Sequence, residues 1–356
     1  MKTEIIAISN HKGGVGKTET AVNLACAIQR ADMKVLLIDA DAQNNATLHF
    51  GISQKSLAEK GIPTLAEDLR NVIECRAKGI SYVYDNRSMI HTDEGVDLIA
   101  GSEDLTDVEE EMLAVKDPAS LVSEYLASMK GKYDYIIIDE HPSLGVLFRS
   151  ILQAATKVNI PIVPEQYAAQ GMLQMIKSIR KTDKKIPISM EFCRVSTNNS
   201  DAKQWVEMVV RNYGKIVKIH KTYIPERASI RKAKDYGQSI LTYEPNGIGA
   251  KKYFALAEEI IGKPISQTQK IDLRPDEIDV DPAYEKESSE ILIEDIRENG
   301  IKERLAVRKK QNGRYDLVHG YRRFDAARKI GMETIPCEII KIAKNDIPVY
   351  RHQKNN

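Results

Sequence analysis

At 356 residues the chain is long enough for two or three domains, and its 42% hydrophobic and 29% charged residues exclude a disordered polymer. A formal charge of +1 excludes a globally basic nucleic-acid coat, though not a local basic face. No apolar run approaches the roughly 20 residues of a membrane span, and the spacing of Cys26, Cys75, Cys193 and Cys337 suits neither a zinc site nor a disulfide framework.

Met1 to Glu4 run straight into an apolar segment and leave no room for a signal peptide, so a cytoplasmic protein is expected. Glu4–Ser9 is a predicted strand. Thr18–Arg30 follows as a helix, with Ala21, Val22, Leu24, Ala25 and Ile28 at helical spacing, and Lys34–Ile38 is the next strand. Strand, helix and strand in this order make the βαβ unit of a parallel sheet. Further strands are expected at Val96–Ile99, Tyr135–Ile138, Lys157–Val163, Ser189–Val195 and Ile216–His220. Their unbroken apolar character suits strands covered on both faces. Gly249–Ile261 reads as a closing helix stopped by Gly262 and Pro264.

The polar segment Ser266–Lys270 lacks periodicity and marks a boundary, giving domains 1–265 and 266–343 and a polar, frayed tail at 344–356. The second domain reads as α+β. A helix is expected at Ser288–Asn299, with Ile291, Leu292, Ile293 and Ile296 inward and Gly300 as its left-handed stop. Strands Leu305–Arg308 and Tyr315–Val318 flank a turn at Asn312-Gly313. A helix Arg322–Ile330 and a strand Ile335–Ile342 complete the unit. The predicted fold class is therefore a doubly wound, mostly parallel α/β sheet followed by a small α+β domain.

Lys12-Gly13-Gly14-Val15-Gly16-Lys17-Thr18 lies between the first strand and the first helix, the setting that makes such a string a P-loop. The glycines let successive backbone N–H groups turn inward on phosphate oxygens, and the helix at Thr18 adds the positive end of its dipole. Lys17 is then placed to reach the β and γ oxygens of ATP, and the Thr18 hydroxyl to ligate Mg²⁺.

The second lysine, Lys12, makes this the deviant form KGGVGKT, which resembles the ParA/MinD group of ATPases. The resemblance implies that Lys12 crosses a dimer interface to the partner's nucleotide, so that two subunits sandwich two ATP molecules in a homodimer. Asp39-Ala40-Asp41-Ala42-Gln43-Asn44-Asn45-Ala46-Thr47 is similar to the family's switch segment, with Ala42 where the family has proline and Asn44 where it has glycine. It implies that Asp41 handles the attacking water and that Asp39 supports Mg²⁺ and the loop; a strand-end aspartate capping a helix is the plainer alternative. Tyr133–Asp139 resembles the Walker B strand, with Asp139 holding Mg²⁺ through water. Glu140 and His141 replace the family's Cys-Pro, either tuning the switch or lying exposed in a loop. Similarity continues through Ile160–Pro164, Gln170–Met172 and Ile224–Pro225, covering roughly residues 3–262, and implies that loops at Thr197–Asn199 and Ile224–Glu226 approach the adenine. Asn198, Pro225 and Glu226 are the candidates there.

Arg211, Lys215, Lys218, Lys221, Arg227, Arg231, Lys232 and Lys234 form a positive stretch. By resemblance, non-specific DNA binding in the ATP state falls to Lys221, Arg227, Arg231, Lys232 and Lys234; a solvated lysine-rich surface is the alternative. A MinD-like membrane switch is disfavoured, because Ala343–Asn356 is polar and contains Pro348, so no membrane partner is expected. The nitrogenase iron protein shares the fold but needs paired cluster cysteines that are missing here.

Residues 271–342 resemble the ParB N-terminal domain in Ile278–Pro282, Ile296–Ile301 and Tyr315–Arg323. Gly320 ends a strand and opens a helix with Arg322 and Arg323 in its first turn, a candidate phosphate site that the resemblance assigns to CTP or another nucleotide. Tyr321 stands for the family's glutamate and Asp325 for a basic residue, and the Gln-Pro-Arg element near the domain start is missing. These losses weigh against CTP, and solvated arginines at a helix end are the alternative. Sulfiredoxin chemistry would need a cysteine at Tyr321. No helix-turn-helix follows, so sequence-specific centromere reading is not expected. The resemblance as a whole implies a nucleoid-associated partition ATPase with a fused regulatory or adaptor domain and a ParB-type or cargo-adaptor partner. Positioning of a protein cargo, or phosphotransfer or nuclease activity in the second domain, is the alternative.

Overall fold

A computed structural model describes residues 2–165, 168–182, 185–196, 200–265, 269–310, 312–340 and 347. The chain divides into two compact units, Met1–Ile265 and Ser266–Asn356.

The first unit begins β1 (Glu4–Ile8), α1 (Lys17–Gln29), β2 (Val35–Ala40), α2 (Asn45–His49), α3 (Gln54–Lys60), α4 (Leu65–Ala77), β3 (Met89–His91), β4 (Asp97–Ile99), α5 (Leu105–Leu113) and α6 (Leu121–Tyr125). It continues β5 (Tyr135–Glu140), α7 (Val146–Ala154), β6 (Lys157–Ile162), α8 (Ala168–Arg180), β7 (Ile188–Val195), α9 (Ser200–Tyr213), β8 (Lys218–Pro225), α10 (Ala228–Ala233), α11 (Ile240–Tyr243) and α12 (Ile248–Ile261). Its eight-stranded sheet has the order β3-β4-β2-β5-β1-β6-β7-β8. Every pairing is parallel except that of β3 with β4.

Alternate residues of the central strands feed two cores, one on each face. Ile5, Ala7, Leu36, Ile38, Ile136 and Ile138 join one with Leu69, Met112 and Leu152. Ile6, Ile8, Leu37 and Ile137 join the other with Leu24, Ile28 and Phe254. This double burial is why the central strands read as continuous apolar runs. At the β8 edge, the carboxylate of Glu259 on α12 accepts from the backbone N–H groups of Lys221 (2.9 Å) and Thr222 (2.8 Å) and from the Thr222 hydroxyl (2.6 Å).

The second unit contains β9 (Gln269–Leu273), β10 (Ile278–Asp279), α13 (Glu290–Asn299), β11 (Leu305–Lys309), β12 (Tyr315–His319), α14 (Tyr321–Ile330) and β13 (Ile335–Ile339), with sheet order β10-β12-β11-β13-β9. Leu273, Leu305, Val307, Leu317, Phe324, Ile335 and Cys337 form its core. Three expectations change here. Ser266–Lys270 is not all linker, because Gln269 and Lys270 open β9. Ile291 is 84% exposed and not inward, since only Ile296 of α13 is buried. Gly300 has φ +67° but ψ −176°, an extended glycine-only conformation instead of a left-handed cap. The expected frayed tail lies outside the described residues except for Ile347, which is buried with Ala306, Val318 and Ile340.

Candidate functional site

The loop between β1 and α1 is shaped by two glycines with positive φ, Gly14 (+73°) and Gly16 (+94°), and Gly16 caps α1 with no side chain of its own. The first N–H groups of the helix are thereby left facing outward from its N-terminus. Gly13 has open space around its Cβ position, and Val15 anchors the loop in the interior.

Lys17 is buried at the foot of this loop, and burial holds its ammonium below the usual lysine range. Asp139, Asp41, Glu140 and Glu19, in that order, pull the other way. The carboxyl ends of β2 and β5 supply the first three, aligned by the pairs Asp39↔Asp139 and Ala40↔Glu140. Both oxygens of Asp139 are buried without a hydrogen-bond partner among the described residues. Burial, then the neighbouring Asp39, pushes its carboxyl well up, against the pull of Thr18 and Lys17.

Asp39 is committed differently. Its Oδ2 accepts from the N–H (2.8 Å) and hydroxyl (2.7 Å) of Thr47, and its Oδ1 accepts from the Asp41 N–H (3.3 Å). Burial raises its pKa to about 6 despite those bonds. The Thr47 hydroxyl in turn accepts from the Gly101 N–H at 3.1 Å. Asp39 therefore holds the switch segment, and its oxygens are largely used in doing so.

Asp41 closes the turn that lacks the family's proline. Its carbonyl accepts from Asn44 N–H (2.8 Å) and its Oδ1 from Gln43 N–H (2.9 Å). Asn44 takes φ +46°, the left-handed conformation that explains asparagine where the family has glycine.

Glu140 is not an exposed loop residue. It is the last residue of β5, buried, with its Oε2 accepting from the Ser9 hydroxyl and its Oε1 without a partner among the described residues. Burial pushes its carboxyl well up. His141 is partly exposed, with Nε2 3.9 Å from Asp41 Oδ1. Because Glu140 follows Asp139 at the strand's end, the sequence alone left open whether it was buried with the strand or exposed in the next loop.

Lys12 is not part of this cluster. It is exposed, and its ammonium pairs with Glu165, after β6, at 2.5 Å.

A cleft beside the loop is lined by Gly16, Glu19, Cys193, Arg194, Pro225, Glu226, Arg227 and Arg231, among others. Pro225 and Glu226 thus come together near the P-loop, while Asn198 lies outside the described residues. Arg227, Arg231, Lys232 and Lys234 are exposed on and around α10, with Arg231 paired to Glu226 at 3.2 Å. Lys221 stands apart on the edge strand β8.

In the second unit, a pocket is lined by Tyr284, Lys286, Leu292, His319, Gly320, Tyr321, Arg322 and Arg323. Arg322 is exposed. Arg323 is engaged within the chain, donating to the Glu303 carbonyl and pairing with the Glu303 carboxylate at 2.9 Å. Asp325 accepts from the Ser288 N–H (2.8 Å) and hydroxyl (2.5 Å), tying the approach to α13 onto α14.

The site's chemistry fits a magnesium nucleotide: glycine-built N–H donors, a buried lysine, and buried carboxylate oxygens without partners. Among the described residues, no group of three or more His, Cys, Asp or Glu could hold a metal unaided.

A family profile described as an AAA domain matches residues 3–192, and one described as the ParB N-terminal domain matches residues 257–351. The sporulation initiation inhibitor protein Soj of Bacillus subtilis is 32% identical over 262 residues, 72% of this chain and 98% of that protein. A putative plasmid partition protein of Borrelia burgdorferi, solved with AMPPNP, superposes with a TM-score of 0.61 at 27% identity, over 73% of this chain and 99% of that one. A cobyrinic acid a,c-diamide synthase of Mycobacterium smegmatis, solved with ADP and magnesium, does so with a TM-score of 0.59 at 25% identity, over 73% of this chain and 94% of that one.

Proposed function

The chain belongs to the ParA/Soj family of partition ATPases and carries a ParB N-terminal domain, and from that premise we propose that it is an ATP-switched dimer that grips DNA non-specifically and releases it on hydrolysis. The observation that carries this reading is the buried Lys17 among the carboxylates of Asp41, Asp139 and Glu140 beneath the P-loop.

Gly13, Gly14, Val15, Gly16, Lys17 and Thr18 bind the phosphates of ATP, and Thr18 and Asp139 hold Mg²⁺, with Asp39 contributing through the loop it fastens to Thr47. The ion supplies charge neutralisation at the phosphates. Asp41 orients the attacking water and takes its proton. Pro225 and Glu226 flank the base. Lys12 reaches a second subunit's nucleotide, which requires that it leave Glu165. A cation supplied across an interface stabilises the transferring phosphoryl group and makes turnover depend on assembly. Arg227, Arg231, Lys232 and Lys234 meet DNA phosphates.

The deciding experiment measures size and DNA binding with and without ATP. Lys17→Ala abolishes nucleotide binding, and Asp41→Ala traps an ATP-bound dimer on DNA. An Asp41→Ala protein that stays monomeric with ATP overturns the sandwich.

The pocket of the second unit supports a further reading, a phosphate-bearing ligand held by Lys286, Arg322 and the N-terminus of α14. Its Tyr284 and Tyr321 rings lie 6.3 Å apart at 37°. With Arg323 engaged and Asp325 bound to Ser288, the remaining cations are few for a triphosphate. Titration of residues 266–356 with CTP, CMP and inorganic phosphate tests it, and CTP bound more tightly than CMP would contradict the shorter ligand.

A further inference from the structure

Arg194 lies near the end of β7, where a bulge interrupts the pairing with β8: Phe192 pairs with Tyr223 and Val195 with Pro225, leaving Cys193 and Arg194 between. Its φ is +53°, a conformation costly for a residue with a long side chain. Bulges beside sites commonly re-aim a side chain. Here the guanidinium is aimed at the nucleotide loop: Nη1 lies 4.0 Å from where a Cβ on Gly14 would stand, and Nη2 lies 3.3 Å from Glu19 Oε1 in the first turn of α1.

The cleft it borders has an apolar lining of Ile224, Pro225, Ile230 and Tyr253. Two ion pairs stand among its lining residues, Arg194–Glu19 and Arg231–Glu226. The cleft is narrow, about 20 Å³, so a heteroaromatic ring would lie across its apolar mouth, beside Arg194 and Glu19, and not inside it.

We propose that Arg194 is a nucleotide-positioning residue, its guanidinium fixed by Glu19 so as to contact ATP at the sugar–base end, and that the strained bulge of β7 exists to present it. This rests on reading the P-loop as an ATP site. A planar cation with several donors suits this place better than lysine, because it can stack on a ring while donating to hydroxyl groups.

The test titrates the full chain with MgATP and with magnesium tripolyphosphate, which lacks sugar and base. Arg194→Gly keeps the backbone comfortable at positive φ while removing the guanidinium, so the change adds no backbone strain. It is expected to weaken ATP about tenfold, the scale of one lost charge-assisted contact, and to leave tripolyphosphate unchanged. Arg194→Lys is expected to recover only part of the loss. Unchanged ATP affinity in Arg194→Gly overturns the proposal, as does an equal loss for both ligands, or full recovery in Arg194→Lys. Should Arg194→Gly unfold, Arg194→Asn, which also tolerates positive φ, takes its place. Lys17→Ala serves as the separate control: if it leaves tripolyphosphate binding intact, the P-loop reading itself has failed, whatever Arg194 does.

Discussion

A carboxyl group in the middle of a parallel sheet has no water to fall back on, and Glu191 of β7 is such a group. Neither of its oxygens has a hydrogen bond of ordinary geometry among the described residues, although the Asn159 and Thr20 side chains stand close enough to act on it. Burial raises its pKa from 4.5 to about 8, with Asn159 and Thr20 pulling partway back. The protonated form is the one the fold accepts. The stability it brings is full below the unfolded value and is lost as pH rises through about 8. Denaturant midpoints should therefore fall between pH 6 and 8. Asp39, raised to about 6, slopes the same way below that interval. Glu191→Gln should flatten the upper part of the curve, and an unchanged slope would show that the group titrates normally. Gly101 makes a second prediction at this scale. A Cβ there would stand 2.8 Å from the Asp39 carbonyl oxygen and 2.9 Å from that of Asp41, both backbone atoms. Gly101→Ala should cost about 1–3 kcal/mol of stability, read by thermal or chemical denaturation, and should lower ATP turnover more than ATP affinity by displacing the switch.

Among the elements, α10 carries the DNA prediction, with one complication. Arg227 and Arg231 also line the cleft beside the P-loop, so removing them can weaken nucleotide binding as well as DNA binding. Lys232→Ala with Lys234→Ala is the cleaner pair. It should reduce ATP-dependent binding to random DNA severalfold and flatten its salt dependence by up to about 2 in the log–log slope, with ATP affinity intact. Lys221→Ala should do less, because that residue stands apart on β8. The same strand shows where sequence reading works and where it stops. β1, β2 and β5 were legible because both their faces are buried and their residues form unbroken apolar runs. β8 runs Lys218–Pro225, beyond the expected Ile216–His220, because an edge strand alternates buried and exposed residues. The three-residue β3 carries too little pattern to see. At the site, the P-loop announces itself through glycine spacing. Glu140, Glu165 and Arg194 do not, since their importance comes from tertiary neighbours: Ser9, Lys12 and the Gly14–Glu19 segment.

Taken whole, the molecule joins two compact units in one chain, which keeps each at high effective concentration for the other. Residues 1–265 expressed alone should retain ATP turnover, since that compact unit contains every residue assigned to the nucleotide. Assembly is the property to watch. Lys12→Ala should keep most ATP affinity yet lose the rise of specific turnover with protein concentration; a variant whose turnover still rises would place the activating cation elsewhere. The Glu259 carboxylate on the β8 edge sets a limit on how copies can join. By occupying the Lys221 and Thr222 N–H groups it removes two of the donors an incoming strand could use. At the opposite edge, β3 offers only three residues. Backbone ladders running from one copy of this sheet into another are thus interrupted at one margin and short at the other. Joining of two such eight-stranded sheets therefore falls chiefly to side-chain contacts, which a change of bound nucleotide can undo.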